Sequence, residues 1–215
     1  RLGNTYVDLL SASVGAGSAN FPQDEDGVIR RSPTAIYFEG PDHVYPSLVM
    51  SAAIDILGIK KDGGFDYDFK NQVLRLIDTT NTVVREIPID KHGRMYVNYY
   101  GPFQTFYYLP YMYCFDPEML PPEYWEGKVA FVGASLPGLM DLRNTPVQET
   151  FAGVEIHANV MQSLLLLSLI HITEPTRPLY ISYAVFCLYK KKFKVKKSNS
   201  EKIYFNFINS FICFN

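Results

Sequence analysis

Apolar residues recur at helical spacing in two segments of the chain. The first segment follows Pro46-Ser47 and precedes Gly58, so the pattern predicts a helix with a glycine at its C-terminal end. The second follows Gly153 and predicts an amphipathic helix. The apolar positions of the first helix are Leu48, Val49, Ala52, Ala53, Ile56 and Leu57, and the stripe of the second is Val154, His157, Val160, Met161, Leu164 and Leu165.

Shorter apolar runs bounded by turn residues predict strands. Residues 73–77 and 82–87 flank the polar sequence Asp78-Thr79-Thr80-Asn81, which predicts a hairpin. Residues 11–20 and 28–39 flank a turn cluster that ends in Asp26-Gly27, so they predict an antiparallel pair of strands. Residues 129–133 predict a buried strand. Together the elements predict an α/β (α+β) fold with a mixed, largely antiparallel sheet and packed helices in a single domain.

The character of the sequence changes after Leu166. Residues 167–188 resemble the conceptual translation of a sequencing-library adapter, and a run rich in Lys and then in Asn, Phe and Ile follows. We therefore interpret residues 167–215 as a read-through tail that forms no domain, and residues 1–166 as the domain. The alternative is a membrane anchor, but His171, Glu174, Arg177 and two prolines interrupt the apolar run that a spanning helix needs.

Charge and cysteine content narrow the function classes. Residues 1–166 hold 12 of the 20 basic and 20 of the 22 acidic side chains, which gives a net charge of −8. An acidic domain argues against nucleic acid and against an anionic membrane surface as partners. Of the three cysteines only Cys114 lies before the tail, so the pattern predicts neither a disulfide within the domain nor a cysteine metal site.

An ordered series of short motifs resembles the CHASE family, type 2 (cyclases/histidine-kinases-associated sensory extracellular domain). No single motif is specific, but their order along the chain is. The motifs are Asp26-Gly27-Val28 with Arg30-Arg31, Tyr45-Pro46-Ser47, Asp90…Gly93, Asn98-Tyr99…Gly101-Pro102, Thr105-Phe106, Gly127-Lys128…Gly133-Ala134, Asp141, Thr145-Pro146 and Gly153-Val154-Glu155-Ile156-His157-Ala158-Asn159.

The resemblance implies the extracytoplasmic sensory domain of a bacterial transmembrane receptor in the cell membrane. It implies flanking membrane helices that are absent here, an N-terminus that is truncated, and an output module such as an adenylate or guanylate cyclase or a histidine kinase. The expected partner is a small-molecule or protein signal, with a homodimer left open. We expect no enzyme activity, catalytic residue, cofactor or metal in this fragment.

The candidate ligand-binding residues are polar groups within or beside these motifs. Alternation along a strand would place Arg30 and Arg31 on opposite faces, so at most one of them points at a given anionic ligand. The plain alternative is one solvated arginine and one that pairs with an acid such as Asp141. Glu155 and His157 lie two apart on a helix and do not face each other, so we favour separate structural roles: Glu155 near the helix N-terminus, and His157 packed or capping. The full set is Arg30, Arg31, Ser135, Asp141, Thr145, Glu155, His157 and Asn159.

Two other function classes remain open. The first is an α/β enzyme that uses the loop from Gly133 to Asp141. Pro137 stands where a nucleophile elbow needs its second glycine, and Ser135 stands where a dinucleotide-binding loop needs its middle glycine. The plain alternative for Gly133 is a strand end that needs close backbone packing. The second class is a purely structural ectodomain that binds protein.

Overall fold

The computed structural model describes residues 11–37, 44–116, 118–135, 141–166 and 210–213. Within these residues, α-helices and small antiparallel sheets form an α+β fold, which confirms the predicted class. In the described part of the chain the strands form five small sheets, where a single sheet was expected. The strands are β1 Arg31–Pro33, β2 Ala35–Tyr37, β3 Val44–Pro46, β4 Phe65–Asp68, β5 Val73–Ile77, β6 Val83–Pro88, β7 Arg94–Tyr96, β8 Tyr107–Pro110, β9 Ala130–Gly133, β10 Leu142–Arg143, β11 Phe151–Ala152 and β12 Ser210–Cys213.

The chain divides into two compact units, each built from separate stretches of sequence. The first unit is residues 1–99, 144–146 and 159–171, and the second is residues 100–143, 147–158 and 172–215. The interpretation of residues 1–166 as one domain and of residues 167–215 as a tail stays a prediction. Most of that tail lies outside the described residues, but β12 at its end is a strand of the second unit.

The first unit contains helix α1 (Leu48–Leu57) and three of the sheets, β1–β7, β2–β3 and β4–β5–β6. Ser47 caps α1 by accepting a hydrogen bond from the Met50 N–H at 3.4 Å, and Gly58 ends it with a left-handed φ of 67°. A serine cap stabilises a helix by about 1 kcal/mol, and glycine adopts the left-handed region at little cost. Both ends of the predicted helix are therefore confirmed.

Strand pairing in the first unit confirms one predicted hairpin and contradicts another. β5 and β6 pair across the Asp78 turn, as expected. Residues 11–20 form no strand, and the stretch after Gly27 divides into β1 and β2. β1 pairs with β7, where Arg31 opposes Tyr96, so the antiparallel pair expected around the Asp26-Gly27 turn is wrong.

The second unit contains the sheets β10–β11 and β8–β12–β9, in which β12 is antiparallel to both of its neighbours. The strand expected at residues 129–133 is confirmed as β9, but its predicted burial holds for one face only. Phe131 is buried, whereas Val132 is 40% exposed.

Helix α2 (Gly153–Leu166) begins in the second unit and continues into the first. Its existence is confirmed, but its predicted amphipathic pattern is wrong. All residues from Gly153 to Met161 are buried, including Glu155, His157 and Asn159. A helix buried on every side must satisfy its polar side chains with protein partners. Among the described residues, no helix is long and apolar enough to cross a membrane.

Candidate functional site

The candidate site lies in the second unit, at the start of α2. There the end of β9 approaches the helix so closely that a Cβ added to Gly133 would lie 2.6 Å from the Cβ of Val154. Real Cβ atoms essentially never show so short a separation, so only glycine fits at this strand end. The plain interpretation of Gly133, a strand end whose backbone packs closely, is confirmed, and its neighbour is the side chain of Val154.

Glu155 lies in the first turn of α2, as expected, and its residue surface is 0% exposed. One carboxylate oxygen, Oε2, accepts hydrogen bonds from the Gln104 N–H at 3.0 Å and from the Tyr108 hydroxyl at 2.7 Å. The other, Oε1, accepts from the Thr105 N–H at 3.0 Å and, at a longer 3.5 Å, from the Phe106 N–H. The carboxylate therefore anchors a turn that lies some fifty residues earlier in the chain.

Tyr108 contributes a hydroxyl donor to this anchor. Burial raises the pKa of the Tyr108 phenol well above its usual value, and the hydrogen bond to the Glu155 carboxylate raises it further. The raised pKa keeps the phenol protonated across the physiological range. Tyr108 is consequently a constant donor to Glu155.

The anchored turn, residues 102–106, has an internal structure of its own. Gln104 adopts a positive φ of 68°, which is uncommon for a residue other than glycine. The Thr105 N–H and hydroxyl both donate to the Pro102 carbonyl, and the Phe103 N–H donates to the side-chain oxygen of Gln148 at 3.1 Å. Within the turn, the N–H groups of Gln104 and Thr105 point to the Glu155 carboxylate.

Asp141 meets the beginning of the same helix. Its carbonyl accepts a hydrogen bond from the Gly153 N–H at 2.8 Å, and a Cβ on Gly153 would collide with the Asp141 carboxylate. Burial raises the pKa of Asp141, and the nearby positive charge of Arg143 opposes this shift. Asp141 was the acidic partner expected for Arg30 or Arg31. It instead forms its ion pair with Arg143, whose Nη2 lies 3.6 Å from the Asp141 Oδ1.

His157 packs as the plain interpretation predicted. Its ring is stacked on Phe131 with 6.3 Å between the ring centroids and 11° between the planes. Glu155 and His157 therefore take different partners, Glu155 the 102–108 segment and His157 the strand β9. This agrees with the expectation that two residues so spaced on a helix do not share a site.

The remaining candidates are distributed over both units. Ser135 is buried in the second unit, and Thr145 and Asn159 are buried in the first. The Asn159 carbonyl accepts a hydrogen bond from the Ser163 hydroxyl at 2.7 Å. Residues 136–140 of the proposed enzyme loop, with Pro137 and Gly138, lie outside the described residues.

Arg30 and Arg31, in the first unit, contradict the expected arrangement. Both guanidinium groups donate to the Asp24 carboxylate, Arg31 at 2.9 Å and Arg30 at 3.4 Å, so they converge where opposite faces were predicted. Arg30 also binds both oxygens of Asp26, at 2.9 and 2.7 Å. Alternation fails because β1 begins at Arg31 and Arg30 precedes it.

Three further residues complete this arginine cluster and were absent from the candidate set. Arg94 donates to Asp90 at 2.8 Å and lies 3.8 Å from Asp24. The Arg31 guanidinium lies 5.0 Å from the centroid of the Tyr96 ring and also donates to its hydroxyl. Three arginines and three aspartates therefore balance one another in charge, a composition that favours a structural network over an anion-binding site.

Comparison with known families identifies the chain. The sequence model of the CHASE2 domain matches residues 3–188, which is more than half of the chain, so this chain belongs to the CHASE2 domain family. This family comprises extracellular sensory domains of signalling receptors, which assigns the chain a sensory role in signal transduction and an extracytoplasmic location. The match overlaps residues 167–188, whose interpretation as adapter read-through stays a prediction. No curated protein and no solved structure matches the chain.

Proposed function

We propose that this chain is the extracytoplasmic signal-sensing domain of a bacterial transmembrane receptor whose output module is an adenylate or guanylate cyclase or a histidine kinase. Family membership supports the sensory role, and the resemblance described above supports the output class. The net charge of −8 over residues 1–166 favours an uncharged, cationic or protein signal over nucleic acid or an anionic lipid surface.

The proposal rests on the contacts that other segments make with the first turn of α2. Gly133 at the end of β9, Asp141 and the turn at residues 102–106 all contact residues 153–155 of the second unit. A signal that changes the conformation of these loops changes the contacts of the helix. A sensory domain works by such a population shift, which needs only a few kcal/mol of differential binding.

The test is the output of the full-length receptor reconstituted in membranes. Asp141→Ala removes the carboxylate that packs on Gly153, and His157→Ala removes the ring that packs on Phe131. We expect both variants to change basal output at least severalfold, while the isolated output module keeps its activity. Glu149→Ala removes a charge from an exposed position and is the matched control. Normal output from both variants in a folded receptor would show that these residues serve structure alone.

A further inference from the structure

The β4–β5–β6 sheet of the first unit carries a charged side chain on its apolar face. Leu74 lies opposite Ile87, and Leu76 lies opposite Arg85, so these four side chains share one face. Leu74, Leu76 and Ile87 are completely buried, and Arg85 is half-buried beside them. A charge in such surroundings is tolerated only when hydrogen-bond partners replace the water that it loses.

The partners of Arg85 are backbone carbonyls. Its Nε–H donates to the Leu164 carbonyl at 3.3 Å, and its Nη2 donates to the Leu165 carbonyl at 3.4 Å. Its Nη1 donates to the carbonyl of the preceding residue, Val84, at 2.6 Å. Within the described part of the chain, Arg85 therefore contrasts with Arg75 on the other face of the sheet, whose partners are carboxylates.

Leu164 and Leu165 belong to the last turn of α2, which ends at Leu166. The last four carbonyls of a helix have no donor within the helix, and their dipoles favour a nearby cation. The last turn of α2 contains no basic residue of its own. Arg85, 79 residues before Leu164 in the chain, thus supplies both the missing donors and the missing positive charge.

We infer that Arg85 is a positioning residue that clamps the last turn of α2 to β6, and that signalling holds or releases the end of the helix through this clamp. The clamp consists of the hydrogen bonds from Arg85 to Leu164 and Leu165. It lies at the opposite end of α2 from the candidate site, so a change in the first turn reaches the chain beyond Leu166 only through this end. The signalling half of the inference rests on the proposed sensory function, whereas the clamp itself is testable without a receptor.

Amide hydrogen exchange and carbonyl chemical shifts of the whole 215-residue chain, both measured by NMR, test the clamp. Arg85→Met keeps an apolar stem but deletes every donor of the side chain. We expect the Leu164 and Leu165 carbonyl resonances to move, and protection of the Leu164 and Leu165 amides to fall by about tenfold as the last turn frays. Protection of the Val160 and Met161 amides, in the middle of the helix, should stay unchanged.

Two further variants isolate the cause. Arg75→Met removes the same charge from the other face of the same sheet and should leave the end of α2 unchanged. Arg85→Lys keeps the charge but replaces the planar fork by a single ammonium, which cannot reproduce both bonds. We expect partial rescue in this variant, with protection of the last turn about threefold below that of the unsubstituted chain. Arg85→Lys decides the question if Arg85→Met does not fold.

Three results would overturn the clamp. The first is unchanged carbonyl shifts and unchanged exchange at Leu164 and Leu165 in the Arg85 variants that fold. The second is an equal loss of protection at Val160 and Met161, which would assign the effect to global unfolding. The third is the same loss in Arg75→Met, which would assign the effect to the net charge of the sheet.

Output of the reconstituted full-length receptor separates this inference from the proposed function. We expect Arg85→Met to change basal output at least severalfold and Arg85→Lys to change it less, while Arg75→Met leaves it normal. A released helix end with normal output in Arg85→Met would contradict the signalling role of the clamp. Altered output from Asp141→Ala and His157→Ala, with an unchanged end of α2 in the Arg85 variants, would leave the sensory function standing and reject the clamp.

Discussion

Glu155 in the second unit and Asp24 in the first are each the centre of a hydrogen-bond network, and they differ in what surrounds them. Asp24 has arginine partners whose side chains are 21–40% exposed. Glu155 is completely buried, and it accepts from backbone amides and a tyrosine hydroxyl. Solvent therefore screens the first network more strongly than the second. The comparison teaches that the number of charges in a network is a poor guide to its importance for the fold.

The largest expected effect is on global stability when Glu155 is changed. Glu155→Gln turns an acceptor into a donor opposite the Gln104 and Thr105 N–H groups, so it should lower the free energy of unfolding by about 3 kcal/mol. Urea denaturation with matched m-values measures this loss. Glu149→Gln should stay within about 0.5 kcal/mol of the unsubstituted chain. A loss below about 1 kcal/mol for Glu155→Gln would mean that the turn finds other acceptors at little cost.

A smaller and salt-dependent effect is expected for Asp24. Asp24→Asn removes the charge that Arg30, Arg31 and Arg94 share, while Asp26 and Asp90 keep their own arginine partners. We expect a loss of about 1 kcal/mol at low ionic strength that shrinks in molar salt. The loss from Glu155→Gln should be the same at both salt concentrations. Equal salt dependence of the two variants would remove the distinction between the networks.

The smallest effect concerns the pH dependence of the exposed ion pair between Arg30 and Asp26. The Arg30 hydrogen bond lowers the pKa of Asp26 from 3.8 to about 2, with help from the Val28 N–H. Because the folded pKa is depressed, the stabilisation is present above about pH 4 and is lost as the pH falls towards 2. An NMR titration of the Asp26 carboxylate should show this midpoint, and in Arg30→Met the midpoint should return towards 3.8. An unchanged midpoint in that variant would assign the shift to the backbone donor.

Local chemistry made part of the fold predictable. The ends of α1 depend on Ser47 and Gly58, whose effects act within one turn of the helix. The β5–β6 hairpin depends on its own turn, where Asp78 accepts from the Thr80 and Thr82 N–H groups at 2.8 and 2.9 Å. In both cases every atom that decides the structure lies within a few residues.

The failures concern contacts between residues that are distant in sequence. The pairing of β1 with β7 joins residues more than sixty positions apart. Residues 11–20 also have strand propensity and lie nearer in sequence, so propensity alone could not show that they are not the partner of β1. The role of Glu155 was missed for the same reason, since its acceptors bind N–H groups at positions 104 and 105. One signal was available: a carboxylate within a run of apolar residues is buried only when donors surround it.

Burial of α2 on all sides has a consequence for how its sequence tolerates change. In α1, Asp55 and Ile56 are exposed while Val49, Met50 and Ala53 are buried, so random replacement there should show permissive positions every three to four residues. The first nine residues of α2 are all buried, so replacement should be harmful at each of them and show no such period. Natural variants of this domain would then differ along one helix and hardly at all along the start of the other.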